Sequence, residues 1–138
     1  MYMDKETSSL ELHYLVEELK QLEWCKIEKV YQIENNLFFI KLFKKGSKEK
    51  PVLKISVPEF VCISKQKFVS PKNALGFCSF LRKYLTSTEI ISIEQKDFER
   101  ILVFTFKSLK FGTLYMIIEL FKPGNLVLCN EKQDEATA

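Results

Sequence analysis

The sequence predicts an α+β domain built on antiparallel hairpins. Its 138 residues fit one domain, and 46% of them are hydrophobic, which suffices for a sizeable core. Two segments show the three- and four-residue spacing of amphipathic helices, and short stretches of strand composition lie between turn residues. The order is helix, four strands, helix, four strands, which favours antiparallel hairpins over a parallel βαβ sheet.

The first predicted helix covers about Ser9 to Leu22. Ser8 and Glu11 match the S-x-x-E capping box, which gives Glu11 a structural role at the start of the helix. The apolar residues that recur on one face of this helix are Leu12, Leu15, Val16, Leu19 and Leu22. We expect His13, the sole histidine, on the surface of the helix flank.

Four strands are predicted next, at Lys26–Ile33, Leu37–Phe43, Pro51–Val57 and Phe60–Ser64. The turn-forming residues Glu34–Asn36 join the first two strands into a hairpin. Two polar connections rich in lysine, Lys44–Lys50 and Lys65–Lys72, follow the second and fourth strands. They place most of this region's positive charge in loops.

The second predicted helix runs from Ala74 to about Leu85, with Asn73 as its N-cap. The residues expected to face the core are Ala74, Phe77, Cys78, Leu81 and Leu85. The closing strands are predicted at Glu89–Gln95, Arg100–Lys107, Thr113–Phe121 and Leu126–Asn130. Pro-Gly in the Lys122–Asn125 turn is a type II turn signal. The residues after Asn130 are expected to be a tail or a truncated continuation.

Motifs of the common enzyme classes are absent from the sequence. There is no G-x-x-x-x-G-K-[ST], G-x-G-x-x-G, G-x-S-x-G or H-E-x-x-H segment, and the four cysteines form no C-x-x-C pair. We therefore expect reduced core cysteines, no metal, no cofactor and no catalytic residue, so the chain is not predicted to be an enzyme. Without a signal segment or an apolar run of about 20 residues, we expect a soluble, cytoplasmic protein with no membrane partner.

Arginine is scarce in this chain, where Arg82 and Arg100 stand against nineteen lysines. An arginine is favoured where a planar, multi-donor cation matters, as in bidentate binding of carboxylate or phosphate and in stacking. Glu99 and Arg100 lie side by side where a polar turn re-enters a strand. The alternative is an ordinary solvated ion pair, worth about 0–1 kcal/mol.

Basic residues outside that turn are candidates for phosphate contacts. They are Lys44, Lys45, Lys48, Lys65, Lys67, Arg82 and Lys83. A cationic face forms if the loops converge, and a mildly basic pI near 8.6 permits such a nucleic-acid surface. The alternative is that the lysines only keep the loops solvated. Among the aromatic residues Tyr31, Phe43, Phe60 and Phe98, the last is the best candidate for base stacking, because it lies in a turn.

Four stretches resemble the N-terminal domain of the NFACT family, the ribosome-associated quality-control factors also labelled fibronectin-binding protein A-like. They are S-S-L-E-L with L-V-E-E-L-K, then K-V-Y-Q-I-E-N-N-L-F-F-I-K-L, then F-C-S-F-L-R-K-Y-L with I-S-I-E-Q-K-D-F-E-R-I, and I-I-E-L-F-K-P-G-N-L-V-L. Together they span Ser8 to Glu131 in the order of the family.

The resemblance implies an antiparallel β-sandwich with two flanking helices, like the N-terminal domain of formamidopyrimidine-DNA glycosylases. Residues 1–138 would be a single NFACT N-terminal-like domain with its core at 8–131, from a longer multidomain protein. The implied function is binding of tRNA and the large ribosomal subunit at stalled peptidyl-tRNA complexes, in support of C-terminal tailing. The implied partners are tRNA, the large subunit with peptidyl-tRNA, and other domains of the parent chain.

The residues implied to contact tRNA are Glu11, Glu99 and Arg100. They match an acidic residue early in the family's first helix and its Asp-Arg pair, although both acids are glutamate here. The resemblance therefore leads us to expect the three side chains close together, flanked on the same side of the molecule by the basic segments.

Other functions remain open at this point. A protein-interaction scaffold could bind a partner through an exposed strand edge. A glycosylase or lyase is not expected, because the chain begins Met1-Tyr2-Met3 and lacks the glycosylases' Pro-Glu start. An adhesin is not favoured in the absence of an export signal.

Overall fold

The computed structural model describes residues 8–70 and 76–131, and the backbone alone of 135–137. The helices are α1 (Ser9–Leu19), a 3-10 turn at Lys20–Leu22, and α2 (Gly76–Leu85). The strands are β1 (Lys26–Glu34), β2 (Leu37–Phe43), β3 (Val52–Ser56), β4 (Phe60–Ser64), β5 (Glu89–Gln95), β6 (Ile101–Ser108), β7 (Gly112–Glu119), β8 (Asn125–Asn130) and β9 (Glu135–Thr137). Three residues of the predicted second helix, its N-cap Asn73 with Ala74 and Leu75, lie outside the described residues.

The capping box at the start of α1 is confirmed. Glu11 N donates to Ser8 Oγ at 3.1 Å, and Ser8 N donates to Glu11 Oε1 at 3.2 Å. The predicted apolar face is buried, except that Leu15 is only partly covered. The α-helix ends at Leu19 and not at Leu22, because the chain tightens into the 3-10 turn before β1. In α2 the predicted inward residues Phe77, Cys78, Leu81 and Leu85 are buried or pack on the core.

In the described part of the chain nine strands form one antiparallel sheet, in the order β4-β3-β2-β1-β5-β6-β7-β8-β9. The prediction of an α+β fold with an antiparallel sheet and two helices is confirmed, and β1–β8 begin and end within two residues of their predicted bounds. The predicted tail is corrected by β9, which pairs with β8 from Cys129↔Glu135 to Val127↔Thr137. Backbone hydrogen bonds to the open edge of β8 form this strand without an apolar pattern.

The sheet consists of two halves, β1–β4 and β5–β9. Only Lys26↔Glu89 joins β1 to β5 in the strand register. A methyl group built on Gly124, in the β7–β8 turn, would lie 2.5 Å from Cβ of Pro58, in the β3–β4 turn. The two halves therefore bend towards each other as one continuous sheet, where the resemblance implied a sandwich. The likeness to the glycosylase domain stays a prediction.

The main core lies between these halves and the helices. Phe38 from the first half and Phe104 and Phe106 from the second are fully buried in a single cluster. The two α-helices of the described residues have 11 and 10 residues. Neither is long and apolar enough to cross a bilayer.

The helix α2 covers the part of β1 that does not pair with β5. Arg82 Nε donates to Val30 O at 2.7 Å, and Cys78 Sγ donates to the same oxygen at 3.5 Å. A half-buried arginine thus satisfies a backbone acceptor that the sheet leaves open.

Candidate nucleic-acid interface

The turn between β5 and β6 lies against the first turn of α1. Gln95, the last residue of β5, donates through Nε2 to Ser9 O at 3.0 Å and to Glu99 O at 2.6 Å. The rings of His13 and Phe98 approach to 5.5 Å between centroids. The structure therefore brings the helix turn that contains Glu11 next to the hairpin that carries the Glu-Arg pair. We call Glu11, Gln95, Phe98, Glu99 and Arg100 the helix–hairpin site.

Two consecutive left-handed residues form the tip of this hairpin. Asp97 has φ 45° and Phe98 has φ 60°, and Glu99 N donates to Lys96 O at 2.8 Å. This is the geometry of a type I′ turn, which normally selects Asn-Gly or Asp-Gly. A phenylalanine in the left-handed region is strained, and such strain concentrates at functional sites. Its consequence here is an aromatic ring that is 53% exposed.

We expect Phe98→Gly to stabilise the domain by about 1 kcal/mol, because glycine adopts the left-handed conformation without steric cost. Asp97→Gly is the matched control and should gain less, because aspartate tolerates this conformation better than phenylalanine. Urea unfolding of the two variants measures the difference. A Phe98→Gly variant less stable than the parent would show that the contact with His13 outweighs the backbone strain.

Arg100 lies where the β5–β6 hairpin meets the β7–β8 turn. Its Cζ is 6.0 Å from the centroid of the Phe121 ring, and its backbone oxygen accepts from Leu120 N at 2.8 Å. Stacking on an aromatic ring is one of the roles for which arginine is favoured over lysine, and it orients the guanidinium plane. Glu99 is exposed beside it. Glu11 is also exposed, and its carboxylate accepts from the N-cap as described above.

A cleft of about 370 Å³ opens between α1 and β5 beside this hairpin. Its lining includes His13, Glu17, Lys20, Glu94, Asp97 and Phe98. Glu17 and Lys20 form an exposed ion pair at 3.7 Å. The cleft thus combines an aromatic wall with carboxylate acceptors. Sequence reasoning missed it, because its walls come from segments about 80 residues apart.

The two basic loops lie together at one end of β3. The pair Val52↔Ser64 places the β2–β3 loop and the segment after β4 at the same end of β3. The β3–β4 turn, at the other end, is the part that contacts the β7–β8 turn beside Arg100. Five residues of β3 separate the two ends, or about 16 Å at 3.3 Å per residue. The expectation that these loops flank Arg100 stays a prediction, and the loops lie at the end of β3 opposite the turn that packs against the β7–β8 turn.

The structure places the predicted phosphate contacts in three regions. The loop residues Lys44, Lys45 and Lys48 are exposed at the β2–β3 end, as are Lys65 and Lys67 after β4. Arg82 reaches β1, with its Cζ 5.6 Å from the centroid of the Tyr31 ring. Lys83 is exposed on α2, and its Nζ lies 5.1 Å from the ring of Tyr84.

A second basic surface was missed by sequence reasoning. Lys29, Lys41 and Lys54 alternate with other residues on the strands β1, β2 and β3, and their side chains lie on the sheet face away from the main core. The signal in the sequence was a lysine two positions from an aromatic residue, because such residues point to the same face of a strand. It occurs in β1 as K-V-Y and in β2 as F-I-K. The loops gave a stronger basic pattern in the sequence, because they contain more lysines.

The cysteines carry thiols and form no disulfide. Burial raises the pKa of the Cys25 thiol, and it also raises the pKa of Cys62, where Lys54 acts in the opposite direction. A raised pKa keeps these side chains as thiols at neutral pH, which does not suit a nucleophile. Within residues 8–70 and 76–131, no group of three histidine, cysteine or acidic side chains is arranged to hold a metal ion.

Comparison with known proteins agrees with the motifs. The family model described as NFACT N-terminal and middle domains matches residues 8–136. The chain belongs to the NFACT family. The resemblance seen in four stretches of the sequence is thereby confirmed.

This NFACT chain is similar to curated proteins of ribosome quality control. It is 28% identical to the archaeal Rqc2 homolog aRqcH of Methanocaldococcus jannaschii over 144 residues, covering 94% of the chain and 20% of that protein. It is 30% identical to the ribosome quality control complex subunit NEMF of Homo sapiens over 129 residues, covering 91% of the chain and 12% of that protein. The chain therefore spans a fifth or less of the length of these relatives.

Solved structures share the fold of this NFACT chain. The N-terminal domain of fibronectin-binding protein PavA from Streptococcus pneumoniae superposes with a TM-score of 0.82 at 27% identity, covering 91% of the chain and 50% of that structure. The N-terminal part of the fibronectin/fibrinogen-binding protein from Streptococcus suis gives a TM-score of 0.84 at 27% identity, covering 94% of the chain and 52% of that structure. The chain thus corresponds to about half of each solved fragment.

Proposed function

We propose that this NFACT chain binds tRNA and the large ribosomal subunit, as one domain of a longer cytoplasmic factor that acts on stalled peptidyl-tRNA complexes and supports C-terminal tailing. Two of the relatives described above are ribosome quality-control proteins, which supports the general role. The observation that carries the tRNA proposal is the double hydrogen bond of Gln95, which holds the start of α1 against the hairpin of Glu99 and Arg100. The proposal makes the domain a binding module and not an enzyme.

Each side chain of the helix–hairpin site has a distinct role in this proposal. Arg100, oriented by Phe121, contacts a phosphate or the edge of a base. Glu99 accepts from a ribose 2′-hydroxyl, the group that distinguishes RNA from DNA. Glu11 fixes the start of α1 and therefore the wall of the cleft. The longer glutamate side chains displace both carboxylates outward by one methylene relative to the family's aspartates.

The exposed ring of Phe98 supplies a stacking surface for an unpaired base. The adjoining cleft has carboxylates that can accept from the exocyclic amines of such a base. RNA recognition of this kind targets loops and ends whose bases are unstacked. The site therefore suits a single-stranded part of tRNA better than its paired stems.

The basic loops supply contacts of another kind in the same proposal. Their lysines lie at the end of β3 opposite the turn that packs against the β7–β8 turn, so we infer that they reach a different part of a folded RNA. Lysines on exposed loops bind phosphates without reading sequence, and such binding weakens as salt rises. We infer that the loops add affinity and that the helix–hairpin site adds selectivity.

A scaffold function remains the second candidate, because among the strands that the structure describes β4 lies at one edge of the sheet, beside β3. An edge strand can add a strand from a partner protein. The solved neighbours are named for binding fibronectin and fibrinogen, which are protein ligands. This function would depend on β4 and not on Arg100.

The test is binding of fluorescently labelled tRNA by the chain, titrated from about 50 to about 200 mM salt. We expect Arg100→Ala to weaken binding about tenfold or more, since a hydrogen bond to a charged group contributes about 1.5–3 kcal/mol. Arg100→Lys tests whether charge alone suffices and should recover only part of the loss. Lys110→Ala is the matched control, because Lys110 is exposed in the β6–β7 turn at the far end of β6. Equal tRNA affinities for the parent and Arg100→Ala would contradict the proposal and favour the scaffold function.

A further inference from the structure

The outer face of β1–β3 carries a cluster of aromatic rings and cations that shares no residue with the helix–hairpin site. We call it the outer-face cluster, and its members are Lys29, Tyr31, Phe39, Lys41, Lys54, Phe68 and Arg82. The register pairs Lys29↔Lys41, Tyr31↔Phe39 and Phe39↔Lys54 place the strand residues on one face of the sheet. Their sequence neighbours Phe38, Ile40 and Leu53 face the main core instead.

The chain after β4 folds back over this face. Phe68 stacks on Phe39 with ring centroids 4.3 Å apart and an interplanar angle of 12°. Lys54 Nζ donates to Gln66 Oε1 at 2.6 Å. As a result Phe39 is only 1% exposed although it lies outside the main core cluster. The outer face is therefore an ordered, packed surface, and Tyr31 remains half-buried at its border.

Three cations surround the ring of Tyr31. Lys29 Nζ lies 5.3 Å, Lys41 Nζ 5.6 Å and Arg82 Cζ 5.6 Å from its centroid. Lysines directly opposite each other on paired strands repel, as Lys29 and Lys41 do here. Among residues 8–70 and 76–131 the side-chain ion pairs are Glu17–Lys20 and Glu28–Lys50, so no described carboxylate neutralises these three cations. The positive charge of these three side chains therefore favours the binding of an anion.

The guanidinium of Arg82 is held in one position by a hydrogen bond. Its Nε donates to Val30 O at 2.7 Å, which anchors the guanidinium at the edge of β1. An arginine has five N–H donors, so four remain on a group whose position is fixed. A fixed fork of donors beside a half-buried tyrosine ring fits a phosphate that is followed by a base.

We propose that the outer-face cluster binds a single-stranded RNA segment, with phosphates on Lys29, Lys41 and Arg82 and a base stacked on Tyr31. The inference rests on the proposed RNA-binding function and adds a second contact surface to it. A stacking ring among cations is the arrangement by which proteins bind single strands without reading their sequence. This surface would therefore hold a second segment of the RNA that occupies the helix–hairpin site.

The test measures binding of a labelled single-stranded oligouridine to the chain and to four variants. Lys29→Glu should weaken binding at least threefold and reduce its salt dependence, because one phosphate contact is lost. The same change places opposite charges at Lys29 and Lys41, so thermal stability should not fall. A purely structural role for Lys29 would lower stability and binding together. Tyr31→Leu should weaken binding similarly, whereas Tyr31→Phe, the matched control, keeps the stacking surface and should bind as the parent does.

Arg100→Ala separates this inference from the proposed function. It should weaken tRNA binding most, and it should weaken oligouridine binding less than Lys29→Glu does, because the outer-face cluster offers a single strand more cations than the helix–hairpin site does. Unchanged oligouridine binding by both Lys29→Glu and Tyr31→Leu would overturn the inference, and the proposed function would survive if Arg100→Ala still weakened tRNA binding. Loss of binding to vesicles of phosphatidylserine and phosphatidylcholine by Lys29→Glu, with RNA binding retained, would also overturn it and indicate a lipid surface.

Discussion

Gly124→Ala is expected to destabilise the domain by about 3 kcal/mol, by combining left-handed backbone strain with overpacking. Gly124 has φ 81°, a conformation that side chains rarely adopt. An added methyl group would also lie 2.5 Å from Pro58 Cβ and 2.9 Å from Val57 Cγ1. Either the β7–β8 turn or the β3–β4 turn must move to relieve this overlap.

Gly112→Ala is the matched control for this prediction. Gly112 has φ 77°, but a methyl group built on it would meet nothing within 4 Å. Its cost should therefore be the backbone strain alone, about 1 kcal/mol. Urea unfolding of the two variants isolates the contact between the halves of the sheet as the difference between them. Equal losses of unfolding free energy would show that the two turns do not pack together in solution.

Local signals in the sequence were sufficient for the individual elements. The capping box of Ser8 and Glu11 predicted the start of α1 because both partners lie within four residues. Strand and turn composition predicted β2, β4 and β5 with their observed bounds. The strand β9 was not predictable in this way, because pairing with β8 forms it and apolar alternation does not.

The arrangement of the candidate sites depended on contacts that the sequence does not display. Gln95 and Ser9 are 86 residues apart, and their hydrogen bond decides that α1 meets the β5–β6 turn. The family resemblance implied that Glu11 lies close to Glu99 and Arg100. The hydrophobic periodicity of the sequence could not indicate this, because it reports only local structure. Neither source indicated that the sheet bends between β1 and β5, which brings the β7–β8 turn against the β3–β4 turn.

The pairing register explains why the outer-face cluster escaped sequence reasoning. Lys29 and Lys41 become neighbours only when the β1–β2 hairpin forms in its observed register, which contains an irregularity between Ile27 and Lys29. A slip of one residue would turn one of the lysines to the other face of the sheet. The alternation of side chains along each strand could indicate a basic face. Only the paired structure shows that the lysines of β1 and β2 lie around the ring of Tyr31.

Gln95→Glu is expected to be the most damaging single change at the helix–hairpin site. The Nε2 group of Gln95 lies between two carbonyl oxygens, those of Ser9 and Glu99, so its orientation as a donor is determined. A carboxylate at this position would lose both hydrogen bonds and place negative charge against both acceptors. We expect a loss of about 3 kcal/mol in unfolding free energy at neutral pH.

Gln95→Met is the matched control, because it keeps the length of the side chain without donor or charge. It removes the same two hydrogen bonds, but it also removes Oε1, which is buried without a hydrogen-bond partner among the described residues. These effects partly offset, so the expected loss is about 1 kcal/mol. Both variants should weaken tRNA binding, because the start of α1 is no longer held against the hairpin of Glu99 and Arg100.

The pH dependence of Gln95→Glu separates repulsion from a general loss of packing. At acid pH the carboxyl is protonated and can donate to one of the two carbonyl oxygens, so the variant should approach the stability of Gln95→Met as the pH falls. The difference between the two variants should be largest above neutral pH, where the carboxylate is fully charged. Urea unfolding of both across this range measures it. A constant difference would mean that the side chain turns into solvent, and the coupling between α1 and the hairpin would then have to come from His13 and Phe98.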